Sequence, residues 1–124
     1  MEQKFYQCEK CKTIVTPVQG AGDAAICCSQ ELRELVPGTT DGAAEKHVPT
    51  YRVEGNLVTV SVGSVEHPML QEHSIEWVVL KTKEGSQQKA LKAGERPVVQ
   101  FALCQGDEVE AVYAYCNLHG LWKA

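Results

Sequence analysis

Thr50-Tyr51-Arg52-Val53-Glu54-Gly55-Asn56-Leu57-Val58-Thr59-Val60-Ser61-Val62 decides the fold class of this chain. Two β-rich runs, Thr50–Val53 and Leu57–Val62, flank Glu54-Gly55-Asn56, a hairpin signal. In the second run Val58, Val60 and Val62 fall on one face, and Thr59 and Ser61 on the other, the period of a strand. The same grammar continues downstream. Ile75–Lys83 is a longer β-rich run, with Ile75, Trp77 and Val79 expected on one face. Glu84-Gly85-Ser86 turns it back into Gln87–Leu91, and Lys92–Pro97 makes a further turn. Val98–Cys104 and Glu108–Tyr115 flank Gln105-Gly106-Asp107. No segment keeps a 3.6-residue period over ten residues; Ala43-Ala44-Glu45-Lys46 is enough for one helical turn. Short strands and frequent turns predict a mainly β chain, an antiparallel sandwich or barrel.

Upstream the grammar changes. Residues 1–36 hold four of the six cysteines, and Val36-Pro37-Gly38-Thr39-Thr40-Asp41-Gly42 is dense in turn formers. A segment of that length cannot build a self-sufficient core and needs a metal, disulfides or a partner. The expected organisation is a small metal-binding domain, 1–36, followed by a β domain, 37–124. The chain has 124 residues and a net charge of −4, with a pI near 5.5. That balance argues against nucleic acid as a partner. It also makes any attraction for an anionic ligand a local matter. There is no apolar run of 18 residues and no apolar leader after Met1, so neither a membrane span nor export is expected. The cytoplasm is the expected compartment, and there six cysteines read as metal ligands rather than disulfides.

Cys8-Glu9-Lys10-Cys11 is a knuckle in which both sulfurs can converge on one ion with local amides aimed at them. Its partners, Cys27 and Cys28, are adjacent. In a regular strand their side chains would diverge, so both can reach one ion only if the backbone bends. Four thiolates suit a structural zinc or an iron. The second constellation holds every histidine in the chain: His47 in Glu45-Lys46-His47-Val48-Pro49, His67 in Glu66-His67-Pro68-Met69, His73 in Glu72-His73-Ser74, and His119 beside Cys116 in Cys116-Asn117-Leu118-His119-Gly120. Any one histidine is ordinarily a surface or core residue, but all four being incidental is improbable. Four imidazoles and a thiolate suffice for one transition metal with one position left open. Around a divalent ion they leave a charge of about +1, which attracts a small anion. Pro49 and Pro68 hold the residues before them extended, Gly120 permits a close turn, and the amides of Asn117, Leu118 and His119 are within reach of the Cys116 sulfur. Glu45 and Lys46 read by default as a solvated charge pair. Cys104 fits no motif and reads as a free thiol. Trp77 and Trp122 read as core or site-wall aromatics.

Taken together, Phe5–Cys11 with Cys27-Cys28, the three histidine motifs and Cys116–Ala124 resemble the desulfoferrodoxins, superoxide reductases with two iron centres. The resemblance covers nearly the whole chain. It implies a desulforedoxin-like domain over 1–36 and a neelaredoxin-like catalytic domain with an immunoglobulin-like β-sandwich over 37–124. It implies two irons per chain: one held by Cys8, Cys11, Cys27 and Cys28, the other by His47, His67, His73 and His119 equatorially with Cys116 axial. Lys46 would then attract superoxide and order a water for proton delivery. Glu45 would take the sixth position once the iron is ferric. The implied reaction is the one-electron reduction of superoxide to hydrogen peroxide, a step of superoxide detoxification under oxidative stress. Electrons would come from a rubredoxin-like donor by electron transport, and the assembly would be a homodimer. A non-catalytic electron-transfer module and a superoxide dismutase are the competing readings.

Overall fold

The computed structural model describes residues 2–22 and 25–124; Met1, Asp23 and Ala24, all within the first segment, lie outside the described residues. The chain divides into two compact units, Met1–Val36 and Pro37–Ala124. It is nearly all β, and every strand pairing is antiparallel. No helix among the described residues is long and apolar enough to cross a membrane.

The first unit contains a three-stranded sheet in which β1 (Phe5–Gln7) lies between β2 (Ile14–Val15) and β5 (Arg33–Leu35). A separate ribbon pairs β3 (Ile26–Cys27) with β4 (Gln30–Glu31). These strands of two and three residues are too short to show a period in the sequence. Phe5, Tyr6, Leu35 and Cys8 supply the buried apolar surface. Among the described residues these four side chains make a small core, and of the four cysteines Cys8 alone is buried in it.

The second unit is a sandwich. One sheet runs β10 (Val98–Ala102), β7 (Leu57–Val62), β6 (Pro49–Glu54). The other runs β12 (Gly120–Lys123), β11 (Val109–Cys116), β8 (Ile75–Thr82), β9 (Ser86–Ala90). Val58, Val60, Val62, Val99 and Phe101 from the first sheet form one buried cluster with Ile75, Val78, Leu80, Val112, Ala114 and Cys116 from the second. Burying an aliphatic side chain of this size contributes about 1.5–3 kcal/mol, so this layer is what makes the second unit self-sufficient. In the β6–β7 hairpin, Glu54 pairs with Leu57 across the two-residue loop Gly55-Asn56, and Gly55 takes φ +63°. A positive φ at the first loop residue favours glycine.

Two expectations need correction. Ile75 does not share a face with Trp77 and Val79. Cys116 pairs with Ile75 and Tyr115 with Trp77, so Glu76 is an extra residue, a β-bulge. The bulge resets the alternation: Ile75, Val78 and Leu80 enter the core, while Trp77 stacks on Tyr115 with ring centroids 5.3 Å apart and planes 7° apart. Secondly, β12 follows β11 after only three residues, in a stretch read as a ligand loop with no strand after it. The expected helical turn is α1, Ala44–His47. Pro49 ends it: Val48 is extended, at φ −69° and ψ 118°, as a residue before proline must be.

Candidate metal centres

The first unit brings Cys8, Cys11, Cys27 and Cys28 together, each sulfur within 4.8 Å of the others. The knuckle closes through Cys8 N–H to Thr13 O at 2.9 Å and Lys12 N–H to Cys8 O at 2.9 Å, with Lys12 at φ +65°. Hydrogen bonds from the Cys11 and Lys10 backbone hold the Cys8 thiol below its usual value. The adjacent pair converges because Cys28 and Ser29 are the two turn residues between β3 and β4, at φ +52° and +62°. Non-glycine residues in the left-handed region cost on the order of 1 kcal/mol each. Here the conformation turns the Cys28 sulfur back to 3.8 Å from Cys27 Sγ, which is itself 3.6 Å from Cys11 Sγ. Four clustered thiols resist losing all their protons together. Cys11 is drawn down to about 6, first by the Thr13 hydroxyl 3.2 Å away. Cys27 is pushed up to about 12, first by its hydrogen bonds with Cys8 and then with Cys11. A bound cation removes that conflict, so the donors fit a thiophilic metal.

The second unit brings together His47, His67, His73, His119 and Cys116, again with ligand atoms within 4.8 Å of one another. One comes from the helical turn, and the others from a strand end or a loop beside one. His47 ends α1, His67 and His73 lie on the β7–β8 connection, Cys116 ends β11, and His119 sits in the three-residue loop before β12. The rings are arranged nearly as a square. The sides are 4.6 Å (His47–His67), 4.6 Å (His67–His73), 5.0 Å (His73–His119) and 4.8 Å (His119–His47) between centroids, and the His47–His73 diagonal is 6.4 Å. Ring neighbours meet edge-on, at 73° to 86°.

Tautomers decide what the square is for. His47 Nδ1 faces Ala43 O at 2.8 Å, and His67 Nδ1 faces Pro68 O at 2.7 Å. A carbonyl only accepts, so both rings carry their proton on Nδ1. Their Nε2 lone pairs then point at each other across 3.0 Å. His119 Nδ1 is also 3.0 Å from His47 Nε2, and His73 Nε2 is buried with no hydrogen-bond partner among the described residues. Protonation is not the remedy. Burial, first of all causes, lowers the values of His47 and His73 and brings His67 down to about 4. Converging neutral imidazole lone pairs are a metal-binding arrangement.

Cys116 is fully buried, and burial raises its thiol. Backbone N–H groups of His119 and Leu118 oppose that, the former 3.4 Å from Sγ. The Asn117 amide, grouped with these two from sequence, donates instead to Ser74 O at 3.3 Å. Trp122 forms a wall: its ring stacks on His47 at 5.0 Å, and Nε1–H donates to His119 O at 3.0 Å. Glu45 and Lys46 are exposed on α1. The Lys46 charge is among the influences lowering both His47 and His73, which puts it within electrostatic reach of the cluster. His73 and His119 are only half-buried, unlike His47 and His67, so the site is reached from their side. Cys104 is exposed and stands apart from both donor groups.

Sequence reasoning missed two glycines. At Gly63 (φ +85°) a Cβ would lie 2.2 Å from Val65 O and 2.7 Å from Lys46 O, so only glycine lets α1 dock on the β7–β8 loop. A Cβ on Gly42 would press on Trp122, His119 and His47 at 3.1–3.2 Å. Gly42 had read as part of a linker, and nothing local marks it as a site residue.

Comparison with known proteins agrees with this geometry. The desulfoferrodoxin family model matches residues 39–124. Desulfoferrodoxin of Nitratidesulfovibrio vulgaris is 42% identical over 123 residues, covering 99% of this chain and 96% of that protein. Superoxide reductase of Pyrococcus horikoshii is 33% identical over 67% of this chain and 87% of its own length. The crystal structure of superoxide reductase from Treponema pallidum superposes with a TM-score of 0.85 at 43% identity, covering 100% of this chain and 99% of that one.

Proposed function

This chain belongs to the desulfoferrodoxin family, and on that premise we propose which residues carry its reaction and how. The chain is an oxidoreductase, a superoxide reductase. Its cofactors are two iron ions, one among four cysteines and one among four histidines and a cysteine. Held by His47, His67, His73, His119 and Cys116, an iron would supply the one-electron reduction of superoxide, which with two protons gives hydrogen peroxide.

The observation that carries this reading is the square of imidazoles whose donor atoms gather with the buried Cys116 sulfur, with an exposed lysine beside it. His47, His67, His73 and His119 are assigned as neutral ligands, so the site keeps positive charge for an anion. Cys116 is the thiolate that offsets part of it and donates electron density. Lys46 attracts superoxide to the accessible side against a net molecular charge of −4, and its ammonium orders the water that delivers protons. Glu45 precedes Lys46 on the same helical turn; its carboxylate would be the anionic group to compete with product for a metal held there. Trp122 and Gly42 pack the side behind His47 and keep water from it.

Cys8, Cys11, Cys27 and Cys28 are assigned to the first iron, which relays electrons or supports the small domain, residues 1–36; residues 37–124 are the catalytic domain. A rubredoxin-like carrier is the proposed donor, acting on a homodimer in the cytoplasm, where reducing conditions suit six thiols. Lys46→Ala tests the steering role. It should lower the second-order rate with superoxide about tenfold, flatten its dependence on ionic strength, and leave iron content unchanged. An unchanged rate refutes the assignment.

A further inference from the structure

His47 and His67 are each oriented by a carbonyl at Nδ1. The His73 ring has no comparable hydrogen bond to the described residues, so its place must come from its backbone. That backbone is held by one side chain. Asn117 Oδ1 accepts from Ser74 N–H at 3.0 Å, and Asn117 Nδ2 donates to Glu72 O at 3.0 Å. The carboxamide therefore brackets His73 on both flanks. Asn117 N–H adds a third link, to Ser74 O at 3.3 Å. Asn117 directly follows Cys116, whose strand partner is Ile75. Between Met69 and Ile75 the other ties are these: Leu70 and His73 exchange backbone hydrogen bonds of 2.9 and 3.2 Å, Gly94 N–H donates to Met69 O at 2.8 Å, and Ile75 N–H reaches Met69 Sδ at 3.4 Å.

We propose that the Asn117 carboxamide is the positioning residue that fixes the spacing between His73 and Cys116, and with it the grip of the second site on its iron. The inference rests on the second site being an iron centre. It assigns to Asn117 no contact with iron or substrate. Its two side-chain bonds run to backbone atoms on either side of a ligand, so losing them frees the ligand's main chain rather than its ring. Groups that orient metal ligands typically contribute 10–100-fold in metal affinity.

Asn117→Ala removes both bonds. Asn117→Asp keeps size and the bond to Ser74, but sets a carboxylate oxygen against the Glu72 carbonyl. Iron release to a chelator and the thiolate-to-iron absorption of the ferric second site are followed in both variants, with the four-cysteine site as internal control. Val60→Ala, in the sandwich core of the other sheet, lowers stability without touching either loop. The expected result is iron release from the second site about tenfold faster or more and a weakened thiolate band in both Asn117 variants. The first site should be unchanged, and Val60→Ala should keep the parental rate and band. Should Asn117→Ala fail to fold, Asn117→Asp decides alone. Parental release and an unmoved band in a folded Asn117 variant overturn the clamp. Absence of the band from the parent itself overturns the iron reading of the site, and the clamp with it.

Discussion

Cys116 is the residue whose environment is most at odds with its proposed state. Its sulfur is fully buried, and burial favours the neutral thiol, against which the N–H groups of His119 and Leu118 pull only partly. A cation in the square of imidazoles resolves that in favour of thiolate. Cys116→Ser should therefore abolish both the thiolate-to-iron absorption and superoxide reduction, measured by spectroscopy and rapid mixing; full activity in that variant contradicts the assignment. His67 sets an acid limit on the same site. Its value in the folded chain is about 4, below the 6.5 of a free imidazole, chiefly through burial. The unfolded chain thus takes up the proton first, and metal must also compete with it. Stability and metal retention from this group are complete above about pH 6.5 and decline as pH falls towards 4. Metal content and the thermal midpoint, followed across that window, should fall together; a flat profile excludes His67 as a buried neutral ligand.

At the scale of elements, α1 and the loops around it are held by close backbone approach. Val65 N–H donates to Glu45 O at 2.9 Å and Gly63 N–H to Val48 O at 3.3 Å, contacts that a side chain at position 63 would prevent. Gly63→Ala introduces both a left-handed penalty and a backbone clash. It should destabilise the protein by about 3 kcal/mol and displace α1, with loss of metal from the second site. Equilibrium denaturation and metal analysis check this; a shift under about 0.5 kcal/mol contradicts it. β7 was legible in the sequence because Val58, Val60 and Val62 alternate, and β6, β8, β9, β10 and β11 because turn formers bound β-rich runs. The one-turn helix was legible in Ala43-Ala44-Glu45-Lys46, one residue off the observed Ala44–His47. The bulge at Glu76 was not, since an extra residue in a strand leaves composition unchanged and is visible only in the pairing of Ile75 with Cys116. Nor was β12: Gly120–Lys123 is too short to show a period, and its pairing partner is known only in three dimensions. The donor residues stood out because they are chemically rare. Gly42, Gly63 and the Asn117 carboxamide did not, because they act through space and backbone, which residue type alone does not encode.

On the scale of the whole molecule, two metal-donor sets sit in two units that differ in how much apolar surface they bury. The sandwich has a continuous two-sheet core; the first unit has few buried apolar side chains besides Cys8 and depends more on its metal. A net charge of −4 spread over the chain repels an anion weakly, so the proposed steering by Lys46 is a local field acting against the molecular one. Reduction and dismutation of superoxide use the same metal and substrate but differ in electron count. The decisive measurement is the hydrogen peroxide formed per superoxide consumed by the iron-loaded protein with a reductant present. Reduction yields about one; a yield of about one half is dismutation and contradicts a reductase.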